Sequence, residues 1–258
     1  MIFDGLVCDM DGVLYRGDVP IEGSAEAVEE IRRRGVRLVF CTNNSRSTVG
    51  QYVDKLARMG IQATPRELVT SAVVTAEVLE KRRQAGARAI VVGGDGIRSE
   101  LASIGIEIDD DPESTRADLV VVGWDPRFDY VAMRRAAAAV LSGADFVATN
   151  DDSAFPAPDG LWPGAGAILA SIETASGRRA EVMGKPHDPM METVAGRLDG
   201  AQEVAMVGDR PETDLAGGAR RGWTTVLVLS GVTSRDQAAR VSPAPDLVVA
   251  SLRELLRQ

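Results

Sequence analysis

Leu6-Val7-Cys8-Asp9-Met10-Asp11-Gly12-Val13-Leu14-Tyr15 decides how the chain is read. A short apolar run ends in two carboxylates two residues apart, with glycine directly after them. A short apolar run beside a Gly break predicts a buried strand. Buried carboxylates are costly, so a pair at a strand's end needs a polar crevice or a metal. The simpler reading is a solvated Asp-x-Asp-Gly turn. The rest of the chain has to decide between them.

Outward from this stretch, apolar strands and helices alternate. Ser24–Arg34 reads as a helix with Ser24 as N-cap and Gly35 as stop. Strand Val36–Cys41, helix Ser47–Met59 and a short strand Glu67–Ser71 follow. The rhythm repeats through helix Val74–Gln84, strand Ala89–Val92, helix Ile97–Ser103, strand Leu119–Val122, helix Tyr130–Leu141, strand Phe146–Thr149 and helix Ala165–Ala175. Glu107–Arg116 reads as an acidic surface loop, and Trp162–Gly166 as a turn before a helix. It closes with strands Glu181–Met183, Glu203–Val207, Thr225–Leu229 and Leu247–Val249, separated by helices Pro189–Leu198 and Asp214–Arg221. Short links between alternating strands and helices predict parallel sheets covered by helices. So many strands exceed one ordinary sheet, which predicts two α/β units.

Bulk composition excludes several classes. The 258 residues are 45% hydrophobic and 26% charged, with a formal net charge of −9. That balance argues against a general nucleic-acid or anionic-membrane surface. No apolar stretch approaches the roughly 20 residues that span a bilayer, and the N-terminus lacks the pattern of a signal peptide. A cytoplasmic protein is expected. Cys8 and Cys41, the only cysteines, lie in apolar runs and read as small core hydrophobes. His187 is the only histidine, so a His-rich metal site is excluded. Chemistry falls to carboxylates, hydroxyls and lysine.

Four polar clusters each follow an apolar strand: Asp9-Met10-Asp11-Gly12, Thr42-Asn43-Asn44-Ser45, Gly184-Lys185-Pro186, and Gly208-Asp209 through Thr213-Asp214. Singly, each has a cheaper reading as a capping turn, a surface lysine or a strand-ending turn. Together, at the carboxyl ends of strands where open α/β sheets do their work, they point to one site. They lie early and late in the chain, so residues 1–73 and 181–258 are expected to form one core, with 74–180 inserted. The chemistry they suit is phosphoryl transfer. One carboxylate attacks phosphorus and another moves the proton. Hydroxyl, amide and ammonium donors hold the phosphoryl oxygens, and clustered acids bind Mg²⁺.

In order and spacing these motifs resemble those of the haloacid dehalogenase-like hydrolases. Asp9–Tyr15, Thr42–Ser45, Ala148-Thr149-Asn150-Asp151 and Gly208–Asp214 are similar to the NagD-like, p-nitrophenylphosphatase branch. The resemblance implies a Rossmann-like parallel-sheet core with an inserted α/β cap domain that selects the leaving group. It also implies a Mg²⁺-dependent phosphatase that hydrolyses a small phosphorylated metabolite through an aspartyl-phosphate. Asp9 would be nucleophile and Mg²⁺ ligand. Asp11 would be general acid/base, binding the ion through its carbonyl. Asp209 would be the third ligand, and Asp214 would orient ligands or Lys185. Thr42, Asn43, Asn44 and Lys185 would hold the phosphoryl group. Trp124, Arg127 and Asn150 are candidates for cap specificity. Family members often pair through their caps, so a homodimer is an expectation of the resemblance. Arg46 has two readings, a phosphate neutraliser or a helix-face charge, and His187 reads as structural. The competing function is a phospho-accepting signalling or regulatory protein with a stable aspartyl-phosphate, since receiver domains also combine an acidic pair, Thr and Lys on a parallel sheet.

Overall fold

The computed structural model describes residues 3–157 and 160–257. They form two compact units. One comprises the chain up to Thr42, Gly50–Val69 and the chain from Lys185 onward, and the other comprises Asn43–Val49 and Thr70–Gly184.

The first unit is built on a six-stranded sheet. Its order is Leu247–Val249, Thr224–Val228, Val204–Gly208, Gly5–Asp9, Arg37–Thr42, Leu68–Thr70. The first five of these pair in parallel. Gly5–Asp9 and Val204–Gly208 are buried along their whole length. That explains their unbroken apolar sequence, because a parallel sheet carries helices on both faces. Helix Ser24–Arg33 buries Ala27, Val28 and Ile31, and helix Asp188–Arg197 buries Met190, Met191 and Val194. The strand order reverses between Gly5–Asp9 and Val204–Gly208. Cys8 there lies beside Val207, and such a switch point opens a crevice at the strands' carboxyl ends.

The second unit has its own parallel sheet, ordered Glu181–Val182, Asp145–Ala148, Leu119–Val122, Arg88–Val92, Glu107–Ile108. Its apolar core joins Val120, Val122, Ala136, Val140, Ile168 and Leu169. Helix Ser71–Lys81 starts three residues before the predicted Val74, because the Thr70 hydroxyl accepts from Val73 N at 3.1 Å and caps it.

Four expectations are corrected. Ser24, read as an N-cap, is the first residue of its helix after the cap Gly23, and its hydroxyl donates to the Leu14 carbonyl at 2.9 Å. Glu107–Ile108, assigned to a surface loop, is an edge strand beside Arg88 and Ala89. Beyond it Asp109 is buried and pairs with Arg88 at 2.9 Å. Trp162 and Pro163, assigned to a turn, belong to strand Gly160–Pro163, antiparallel to Ala154–Ala157. The predicted helix Asp214–Arg221 is a π-helical turn, Pro211–Leu215, followed by α-helix Ala216–Arg220. Such turns recur at functional positions.

Candidate active site

The first unit's switch point gathers carboxylates. Asp9 is the last residue of its strand, and Asp209 follows the last residue of the neighbouring one. The adjacent π-helical turn carries Asp214. Each of the three offers a carboxylate oxygen, these oxygens lie within 4.8 Å of one another, and all three residues are buried.

One ammonium enters this group. Lys185, 2% exposed, places Nζ 2.5 Å from Asp9 Oδ1 and 2.7 Å from Asp214 Oδ1, and it also donates to the Cys41 carbonyl at 3.4 Å. Burial pulls the lysine's pKa down, but Asp214 and Asp9 outweigh it and hold the ammonium well above the ordinary lysine range. Burial pushes the Asp9 carboxyl well up, and Lys185 offsets only part of that push because Asp214 and Asp209 add to it. Three carboxylates sharing one lysine leave excess negative charge, which a divalent cation relieves.

Asp209 is held from several sides. Its Oδ2 accepts from Val232 N at 2.7 Å, and its carbonyl accepts from the Thr233 hydroxyl at 2.5 Å. Burial and the Asp214 charge push its carboxyl up to about 6. The turn at Gly12, with φ of +87°, crosses directly over it, and a Cβ there would fall 2.3 Å from Asp209 Oδ2. Only glycine suits both the left-handed backbone and that approach. Ser230 Oγ donates to the Gly12 carbonyl at 2.7 Å and pins the turn. Asp11, one residue before Gly12, is half-buried. Burial raises its carboxyl against the opposing pull of Lys55 and Arg210. A carboxyl raised this way keeps a proton to give, as a general acid must.

The Thr42–Ser45 cluster is divided. Thr42 is buried at the end of its strand in the first unit, whereas Asn43–Val49 belongs to the second. Asn44 Oδ1 accepts from Arg46 N at 2.9 Å, and the Arg46 guanidinium lies 5.3 Å over the Trp124 ring. Trp124 is core: it stacks on Phe155 at 4.6 Å and donates Nε1–H to the Pro163 carbonyl at 3.0 Å. Arg127 is exposed and reaches Asp125 at 3.4 Å. Asn150 is buried, and its amide donates to the Asn43 carbonyl at 2.8 Å. His187 is the residue before helix Asp188–Arg197.

This arrangement has counterparts. The family model described as haloacid dehalogenase-like hydrolase matches residues 6–107, and a second, HAD-hydrolase-like model matches 182–255. An acid sugar phosphatase of Staphylococcus aureus (strain USA300) is 32% identical over 258 residues, covering 99% of this chain and 98% of that protein. The chain belongs to the haloacid dehalogenase-like hydrolases. Two solved structures refine its place in that family. NagD from E. coli K-12 superposes with a TM-score of 0.87 at 34% identity, covering 98% of each chain. A glycerol phosphate phosphatase from Mycobacterium tuberculosis, in complex with magnesium, superposes with a TM-score of 0.89 at 32% identity, covering 98% of this chain and 76% of that one. This haloacid dehalogenase-like hydrolase is therefore an enzyme of the phosphatase type, in the NagD-like branch.

The donor set fits a hard divalent ion: clustered buried carboxylates, carrying more negative charge than Lys185 balances. Sequence reasoning overlooked Ser230, Val232 and Thr233, which hold Gly12 and Asp209. They too are polar or Gly-flanked residues just past an apolar strand, Thr224–Val228, and the rule that found the other four clusters applies to them.

Proposed function

We propose that the chain is a Mg²⁺-dependent phosphatase that hydrolyses small phosphate monoesters through an aspartyl-phosphate. The observation that carries this is the buried Asp9–Lys185–Asp214 triad beside Asp209 at the sheet's switch point. Asp9, the Asp11 carbonyl and Asp209 would hold Mg²⁺. Bound there, the ion supplies positive charge that keeps Asp9 ionised and neutralises phosphoryl oxygens.

The chain's own residues then divide the work. An Asp9 oxygen attacks phosphorus and the bond to the leaving oxygen breaks, while Asp11 gives that oxygen its proton. Water next attacks the phosphorus, Asp11 takes the water's proton, and the Asp9 carboxylate departs as inorganic phosphate forms. Lys185, Thr42, Asn43 and Asn44 hold the phosphoryl oxygens, and Asp214 orients Lys185. In this reading the first unit is the catalytic core and the second is a cap that selects the leaving group. Relatives named for sugar phosphates and glycerol phosphate place those esters first in a substrate panel.

Phosphate release from p-nitrophenyl phosphate, with and without EDTA, tests the reading. Wild type is expected to lose turnover in EDTA and recover it with Mg²⁺, and Asp9→Asn to be inactive under both conditions. Metal-independent turnover or an active Asp9→Asn protein overturns it. A phosphorylated Asp9 that accumulates without turnover would instead favour a phospho-accepting switch. Comparing kcat/KM across phosphorylated metabolites then ranks substrates.

A further inference from the structure

Asn43–Val49 is bound into the second unit by a polar network that centres on one peptide group. The Asn43 carbonyl accepts from Ser71 Oγ at 2.5 Å and from Asn150 Nδ2 at 2.8 Å. The Asn43 side chain donates from Nδ2 to Asp152 Oδ1 at 2.9 Å. Asn150 Oδ1 accepts from Asp152 N at 3.2 Å, so the two residues brace each other. Farther along, Ser45 Oγ lies 3.0 Å from Thr149 Oγ1. Gly96 N and Ile97 N donate to the carbonyls of Arg46 and Ser45 at 2.7 and 3.0 Å. Ser71 and Asn150 are buried, whereas Asp152 is half-buried.

A peptide group is planar, with its N–H and C=O pointing in opposite directions. Two donors on the Asn43 carbonyl therefore fix the direction of the Asn44 N–H. Asn150 has both ends of its amide engaged in this network. Its Nδ2 donates to the Asn43 carbonyl and Thr149 Oγ1, and its Oδ1 accepts from Asp152 N. An amide engaged at both ends is poorly placed to read a leaving group.

We infer that Asn150 and Asp152 are positioning residues that set the Asn43–Asn44 peptide, rather than specificity residues that contact the leaving group. The inference rests on the reading that Asn43 and Asn44 hold the phosphoryl group. Every monoester presents the same phosphoryl group, so loss of positioning costs all substrates alike. Loss of a leaving-group contact changes the ratios between substrates.

Asp152→Ala, Asp152→Asn, Asn150→Ala and Asn43→Ala are compared with wild type on p-nitrophenyl phosphate, glycerol phosphate and a hexose phosphate, and for inhibition by inorganic phosphate. Asp152→Ala is expected to lower kcat/KM about tenfold, the size of one hydrogen bond, to the same extent on all three esters. It is also expected to weaken phosphate inhibition. Asp152→Asn keeps an acceptor oxygen for the Asn43 amide and is expected to recover most of the loss. Asn150→Ala is expected to match Asp152→Ala in pattern, with thermal melting checking its fold. Because Asp152 is half-buried, its variants keep the test open if Asn150→Ala fails to fold. Two results overturn the inference: a change in the ratio between esters of about tenfold or more in Asp152→Ala, or Asp152→Ala matching wild type while Asn43→Ala is impaired. If Asn43→Ala leaves turnover and phosphate inhibition unchanged, the side-chain link from Asp152 to the Asn43–Asn44 peptide does not position it and the inference falls, while the phosphoryl role of the peptide itself still stands.

Discussion

Lys185 is 2% exposed and faces two buried carboxylates at 2.5 and 2.7 Å. Removing one partner of a buried ion pair leaves uncompensated charge and costs about 3–5 kcal/mol. Lys185→Met in EDTA is therefore expected to lose about that much stability by urea denaturation. Adding Asp214→Asn should recover part of the stability and, on the proposed reading, none of the activity, because Lys185 is the proposed phosphoryl donor. A Lys185→Met protein as stable as wild type contradicts the pairing. At Asp11 the prediction concerns the proton. A general acid contributes about 10²–10⁴-fold, and it matters less when the leaving oxygen is already acidic. Asp11→Asn should lose more kcat on glycerol phosphate than on p-nitrophenyl phosphate, and acid quenching during p-nitrophenyl phosphate turnover should trap phosphorylated Asp9. Equal losses on both esters would remove Asp11 from proton transfer.

At the scale of elements, two turns close on Asp209. A Cβ at Gly12 would fall 2.3 Å from its Oδ2, and a Cβ at Gly231 would fall 1.9 Å from the same atom. Gly231→Ala is expected to displace the Asp209 carboxylate and raise the Mg²⁺ concentration needed for half-maximal activity by about tenfold or more, a change of roughly 1.4 kcal/mol in ion binding. An unchanged Mg²⁺ requirement removes Asp209 from the ion's ligands. Such elements differ in how far sequence reveals them. The strands Gly5–Asp9, Val204–Gly208 and Leu119–Val122 are legible because burial on both faces demands unbroken apolar runs. The polar cluster after each of the first two is legible for a related reason: apolar runs end where the crevice begins. Strand Gly160–Pro163 gives no such signal, since all four residues are exposed and it ends in proline. Glu107–Ile108 is two residues long and opens an acidic stretch that hides it. The division of Thr42–Ser45 is not legible at all. Among the residues that bind Asn43 are Ser71, Asn150 and Asp152, which stand 28, 107 and 109 positions away, and no local pattern reports partners at that distance.

At the scale of the whole molecule, the site's charge is expected to make stability depend on pH and, on the proposed reading, on metal in opposite senses. The Asp209 carboxyl has an ordinary unfolded value near 3.9 and is pushed up to about 6 when folded, by burial and by Asp214. Between those values the folded protein holds a proton that the unfolded chain has released, so stability falls as pH rises. The contribution saturates above about pH 6, at roughly 3 kcal/mol. Asp9 and Asp11 are raised and act in the same direction. Lys185 is raised above the ordinary lysine range, so its contribution is fully present below about pH 10 and constant across this window. Glu30 is lowered to about 2 by its bonds to Arg33 and Arg34, so its contribution is lost only below about pH 4.3. Glu100 in the second unit is also raised, by burial and by Glu77. The window from pH 4.5 to 6.5 therefore reads the site's acids together with Glu100, and the Asp209→Asn comparison separates the two. In EDTA the melting temperature is expected to fall across it, and Asp209→Asn should flatten the slope by removing one titrating group. On the proposed reading Mg²⁺ would bind the ionised carboxylates of the folded state and stabilise it by mass action, by about 2.7 kcal/mol at 100 times its dissociation constant. Its stabilisation should therefore grow across the same window as the protons leave. Thermal melts at fixed ionic strength, with EDTA and with saturating Mg²⁺, measure both slopes. A melting temperature in EDTA that rises from pH 4.5 to 6.5, or a Mg²⁺ effect that shrinks as pH rises, would mean that the buried carboxylates are balanced without a divalent ion.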